Sequence, residues 1–164
     1  MLDQAIAFAA IAHAGQRRKY TGDPYIVHPL EVMSIVRTVS DREDMAVAAV
    51  LHDVVEDTPV TLREIERRFG ASVSLFVDEL TEVATTGNRA QRKAAECRRL
   101  NQVSAEAQTI KVADLISNTR TIARYDPNFA KVYLTEKRAL LDVLNEADFR
   151  LILQAEAQLE NEGY

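Results

Sequence analysis

An imidazole and a carboxylate stand side by side at His52-Asp53, directly after the apolar run Met45-Ala-Val-Ala-Ala-Val-Leu51. A carboxylate carried into an apolar interior is costly unless it is paired or binds a metal. Adjacent helical residues point about 100° apart, so both side chains can lean toward one ion beside the helix. The dipeptide alone is a weak signal, because a capped helix end with a surface histidine reads the same way. Glu56 and Asp57 strengthen it: they lie four residues beyond His52 and Asp53, about one helical turn further on. Three carboxylates so close together repel one another unless a cation is near. The competing reading of Glu56-Asp57-Thr58-Pro59 is a solvated acidic loop that opens the next helix.

Two more candidate ligands come from distant segments. His28 follows the tight Asp23-Pro24-Tyr25 loop and precedes Pro29. Asp114 lies in Lys111-Val-Ala-Asp114-Leu-Ile-Ser-Asn118, among apolar residues on a helix that should be half buried. Lys111 and Asn118, at i−3 and i+4, are candidate structural partners for that carboxylate. The third histidine, His13, falls on the apolar stripe of the first helix and reads as a core histidine rather than a ligand.

These residues must be held by helices, since strand signals are almost absent. Apolar periodicity predicts helices over about 3–14, 29–39 and from Ser40 or Asp41 to about Val54, the last apolar nearly all round and therefore central. Thr61-Leu-Arg-Glu64 is a capping box, and Phe69-Gly70 ends its helix with a glycine. Further helices are expected over about 71–85, 89–103 and from Ser104 onward. After the turn Asp126-Pro127-Asn128 come two more, near 129–143 and 146–161, the second capped by Asn145. The only extended loop, Tyr20 to Tyr25, leads into His28. The expectation is one all-α domain over residues 1–164, a bundle of about 8–10 helices.

With 164 residues the chain can bury one full core. Its 47% hydrophobic and 27% charged residues are ordinary for a soluble globular protein. The sole cysteine, Cys97, forms no internal disulfide, no apolar run approaches the ~18 residues that span a bilayer, and the first residues lack the basic region of a signal peptide. A cytoplasmic protein without a membrane role is expected. The net charge of −5 speaks against a nucleic-acid binder. The positive charge is nonetheless gathered locally, in Arg17-Arg18-Lys19 and in Arg89, Arg92, Lys93, Arg98 and Arg99. Such clusters suit a small anion, or simply a solvated helix face. Val73, Leu75, Phe76, Val77 and Leu80 are either core or the face of a homo-oligomer.

Taken together, Tyr25-Ile-Val-His28-Pro29, Leu51-His52-Asp53-Val-Val-Glu56-Asp57-Thr58 and Lys111-Val-Ala-Asp114-Leu-Ile-Ser-Asn118 resemble the HD-domain phosphohydrolases. More narrowly they look like the alarmone hydrolases of the RelA/SpoT type. The match opens with Ala12-His13-Ala-Gly-Gln16-Arg-Arg-Lys19 and covers most of the chain. The chain is too short for the synthetase domain of the long members, so it is similar to the stand-alone small alarmone hydrolases of the stringent response. The resemblance implies a manganese-dependent enzyme that removes the 3′-pyrophosphate from ppGpp or pppGpp. It implies metal ligation by His28, His52, Asp53 and Asp114, and an acidic pair, Glu56 and Asp57, that positions or deprotonates the attacking water. It places Arg18, Lys19, Tyr25, Lys93 and Asn118 around the nucleotide; the region after residue 125 aligns poorly with the family, and Tyr133, Lys137 and Arg138 there are only candidate phosphate contacts.

The chemistry agrees. Two imidazoles and two carboxylates form a mixed N/O set that manganese accepts with positions to spare, and a divalent ion activates water and polarises a phosphoryl oxygen. Departures from the family pattern, Leu-Ile-Ser after Asp114 and Thr119 after Asn118, fall in the base pocket and leave the preferred nucleotide open. Two alternatives follow: an HD-domain nucleotidase or phosphatase acting on a deoxynucleotide or NADPH, and a non-catalytic nucleotide-sensing module.

Overall fold

A computed structural model describes residues 1–82 and 86–163. Among them the chain forms ten helices and no strand, apart from an isolated bridge between Arg17 and Pro24. They fall into two units, Met1–Thr81 and Glu82–Tyr164. No helix among the described residues is long and apolar enough to cross a membrane.

The first unit holds α1 (Leu2–Ala12), α2 (Val27–Arg37), α3 (Glu43–Leu51), α4 (Val54–Asp57), α5 (Leu62–Phe69) and α6 (Ala71–Leu80). Every residue from Met45 to Leu51 is buried, as expected of a helix apolar on all sides. The neighbours that cover it are α1, α2 and α6. The end of α3 therefore delivers His52 and Asp53 into protein rather than to a free surface. Val73, Phe76, Val77 and Leu80 of α6 are core, and Leu75 alone is largely exposed. The predicted extension of this helix toward residue 85 stops at Leu80; residues 83–85 lie outside the described residues.

Thr61 caps α5 by accepting from the Glu64 N–H, and Gly70 ends it at φ 91°, donating its N–H to the Glu66 carbonyl. The helix expected from Pro29 begins earlier, at Val27. Pro29 still sits in the first turn, where its missing N–H leaves no helical bond unmade. The helix expected from Ser40 or Asp41 begins at Glu43 instead. There Asp44 accepts from the Met45 N–H, and Ser40 accepts from Arg42 just before the helix.

The second unit holds α7 (Arg89–Leu100), α8 (Ala105–Tyr125), α9 (Pro127–Leu141) and α10 (Phe149–Asn161). Helices α8, α9 and α10 pack on one another, and α7 lies on α9. Asn88 and Gln91 form a reciprocal capping box on α7, Ser104 caps α8, and Asp126 caps α9 with Pro127 in its first turn. The cap of the last helix is Asp148, not Asn145. The reason is tertiary. Gln108 accepts from the Glu146 N–H at 2.9 Å and Thr109 accepts from the Asp148 N–H at 3.0 Å, which holds this stretch out of the helix.

Lys137 is 1% exposed, and its ammonium donates to Thr119 Oγ1 and Gln158 Oε1. Neither partner carries charge, so burial, helped by the nearby Arg138, lowers its pKa to about 8. In an unfolded chain a lysine titrates near ~10.4. Between these two values the unfolded state binds more protons, so stability rises with pH across that window. Lys137→Met is expected to gain most over wild type at pH 7, on the order of 2–3 kcal/mol, and to lose that advantage by about pH 10. Denaturant melts of both proteins at stepped pH test this; a gap that does not change with pH refutes it.

Candidate functional site

In the first unit the chain leaves α3 at His52 and passes through Asp53 into α4 in near-helical conformation. The Asp57 N–H still donates to the Asp53 carbonyl at 2.9 Å, so Glu56 and Asp57 do lie one turn on from the His52-Asp53 pair. His52 is 5% exposed, and its Nδ1 lies 2.8 Å from the Ala49 carbonyl. A carbonyl only accepts, so Nδ1 carries the hydrogen and Nε2 is turned toward Asp53 Oδ2, 3.0 Å away. The Ala49 carbonyl is available because the last carbonyls of a helix have no partner within it.

His28, 2% exposed, places its own Nε2 at 3.6 Å from the same oxygen. Its ring centroid is 5.2 Å from that of His52. Pro24, Tyr25 and the start of α2 bring it there. The loop before it is folded back on itself: Arg18 N–H bonds the Asp23 carbonyl, Tyr25 N–H bonds the Gln16 carbonyl, and Gly22 turns at φ 74°. Tyr25 donates its hydroxyl hydrogen to Asp53 Oδ2 at 2.7 Å.

The neutral form of His52 would point a lone pair at a carboxylate oxygen. Two acceptors at 3.0 Å repel unless a proton or a cation lies between them. The donor set is therefore one that a divalent metal fits: two imidazole nitrogens, that of His52 oriented by an outer hydrogen bond to the Ala49 carbonyl, and a carboxylate oxygen. Asp53 is 22% exposed, which leaves an approach from solvent.

Glu56 and Asp57 are exposed as residues. The Asp57 carboxyl is nonetheless raised above the usual carboxylate range. Protein crowding strips water from it, and the Asp53 charge adds to the effect. Arg18 is half-buried, while Lys19 is exposed and lies over the Tyr20 ring.

In the second unit Asp114 is 6% exposed on α8. Lys111 Nζ lies 3.0 Å from its Oδ2, and Asn118 donates to its Oδ1 at 2.6 Å, so both sequence-predicted partners reach it. Glu96, also buried, pairs with Lys93 and lies 3.9 Å from Lys111. Lys93, Lys111, Asp114, Asn118, Tyr133 and Lys137 share the wall of a cavity of about 390 Å³. Much of the basic cluster is structural. Arg89 makes a two-pronged pair with Glu136, and Arg92 donates to the Gly87 carbonyl at the helix start. Lys137 is buried between α8 and α10, donating to Thr119 and Gln158. Glu96 escaped the sequence reading because a glutamate on a basic helix face looks like an ordinary surface pair.

A model of the HD-domain family matches residues 5–140, and the chain belongs to that family of helical domains. Its relatives narrow the class. Over 127 residues it is 40% identical to the human guanosine-3′,5′-bis(diphosphate) 3′-pyrophosphohydrolase MESH1, covering 76% of this chain and 70% of that protein. It is 34% identical over 124 residues to the Aquifex aeolicus enzyme of the same name, covering 74% of this chain but only 18% of that longer protein. A solved structure described as a metazoan ortholog of SpoT that hydrolyzes ppGpp superposes with a TM-score of 0.90 at 28% identity, covering 99% of this chain and 95% of that one.

Proposed function

We propose that this protein is a single-domain, cytoplasmic, manganese-dependent hydrolase that removes the 3′-pyrophosphate from ppGpp or pppGpp, leaving GDP or GTP. The observation that carries the reading is the convergence of His28 Nε2 and His52 Nε2 on one Asp53 oxygen, where the HD motifs predict ligands. The named activity of the relatives supplies the substrate class.

In this reading His28, His52, Asp53 and Asp114 hold one divalent metal. Bound there, the ion activates water and polarises the phosphoryl group. The protein's own groups do the rest. The Ala49 carbonyl and the Tyr25 hydroxyl aim His52 and Asp53. Glu56 or Asp57 takes the proton of the attacking water. Arg18, Lys19 and Lys93 balance the phosphate charge, while Tyr25 and Asn118 flank the nucleoside. The cavity of about 390 Å³ beside Asn118 is within the range that takes a small ligand.

Incubation of purified protein with ppGpp and manganese is expected to release pyrophosphate, and chelation is expected to stop it. Release of orthophosphate instead, or turnover of a deoxynucleotide or NADPH in place of ppGpp, supports the nucleotidase alternative. Tight ppGpp binding by metal-loaded protein without turnover supports the sensing module.

A further inference from the structure

His13 stands at the C-terminal end of α1, 3% exposed, and the proposed chemistry gives it no role. Its contacts can be assigned step by step. Gln16 reaches the main-chain carbonyl of Asp57 at 2.9 Å, and a carbonyl only accepts, so the amide nitrogen of Gln16 faces Asp57. The amide oxygen therefore faces His13 Nδ1 at 2.8 Å, and Nδ1 must carry the hydrogen. A primary amide can accept on one side and donate on the other, which a carboxylate or an ammonium cannot do.

The imidazole also packs against Tyr25, ring centroids 4.7 Å apart and planes tilted by 39°, and the Tyr25 hydroxyl donates to Asp53. One buried ring thus braces two branches, the turn that carries Glu56 and Asp57 and the tyrosine that aims Asp53. The first branch needs a brace. Helix α4 has four residues, too few to hold themselves in water. His13 Nε2 meets no hydrogen-bond partner among the described residues, an arrangement unusual for a ring that only fills a core.

We propose that His13 is a positioning residue that holds the acidic pair Glu56 and Asp57 in place beside Asp53, through the Gln16 amide and the Tyr25 ring. The proposal rests on the hydrolytic role given to that pair above, and two separate readouts test it. His13→Leu keeps an apolar side chain but removes the donor, and His13→Asn returns a donor near Nδ1. Gln16→Met breaks the same link one step later and serves if His13→Leu does not fold.

In metal-free protein, amide hydrogen exchange over residues 54–58 is expected to quicken at least about tenfold in His13→Leu and Gln16→Met. It should stay near wild type in His13→Asn. With manganese and ppGpp, the two disruptive variants should lose about 10–100-fold in kcat, the scale of an outer-sphere partner, with KM and metal affinity within about twofold. The double variant should cost no more than either single one. Unchanged exchange overturns the proposal whatever the substrate is. So does unchanged kcat, or a loss that tracks metal affinity. If wild-type protein leaves ppGpp intact, the alarmone reading fails, and the exchange experiment still decides the role of His13.

Discussion

Asp53→Ala is expected to abolish metal binding and turnover together. Asp53 Oδ2 faces both His28 Nε2 and His52 Nε2, at 3.6 and 3.0 Å. Without it, the proposed set keeps two imidazoles and the Asp114 carboxylate, and the Tyr25 hydroxyl loses its bond to Asp53. Manganese affinity, read by calorimetry or by electron paramagnetic resonance, should fall by more than about 100-fold, beyond the effect of losing an outer hydrogen-bond partner. Turnover should fall by at least about 10³-fold, on the order of 4 kcal/mol of barrier. Folding should survive, because Asp53 precedes α4 without making a side-chain cap bond. A variant that melts normally and still binds manganese as tightly as wild type would falsify the assignment of Asp53 as a ligand.

Glu56→Ala should behave differently, keeping the metal and losing rate. Its side chain is exposed and lies a turn beyond the His52-Asp53 pair, where it can meet a water approaching from solvent. Loss of a general base lowers rates by about 10²–10⁴-fold. The fall should appear in kcat, with manganese affinity near wild type, the pattern of an interaction made only in the transition state. Hydrolysis of ppGpp by Glu56→Ala at the wild-type rate removes the general-base role from Glu56. Asp57 is then the remaining carboxylate of the pair. Its carboxyl is already raised by crowding and by the Asp53 charge, which makes it the more basic of ordinary aspartates.

Much of the fold was legible because its signals are local. A single cap, a capping box, a terminal glycine or a run apolar on all sides acts within one turn of chain, and α3, α5 and α8 follow those signals. The error at Asn145 has the opposite character. Both Asn145 and Asp148 are good caps by type, and the choice between them is made by Gln108 and Thr109, nearly forty residues away. Lys93 read as one of several clustered positive charges; its pairing with Glu96 of its own helix emerges from the structure. His13 was read as core from its place on an apolar stripe. Buried it is, but its partners Gln16 and Tyr25 both arrive from the loop after α1, and periodicity carries no information about either.

By itself the sequence determined the candidate set, His28, His52, Asp53, Glu56, Asp57 and Asp114, because residue type and spacing alone select groups able to bind a cation and move a proton. It also determined the helical class, because helix starts and stops are written in adjacent residues. Only the tertiary structure decided which nitrogen each histidine presents. The Ala49 carbonyl fixes the hydrogen on His52 Nδ1 and turns Nε2 to Asp53. Only it decided, too, that His28 is buried rather than exposed, and that Tyr25 points at Asp53. The physical reason is common to all of these. A side chain's identity sets what it can donate or accept, but the atom it meets is supplied by backbone far away in the chain.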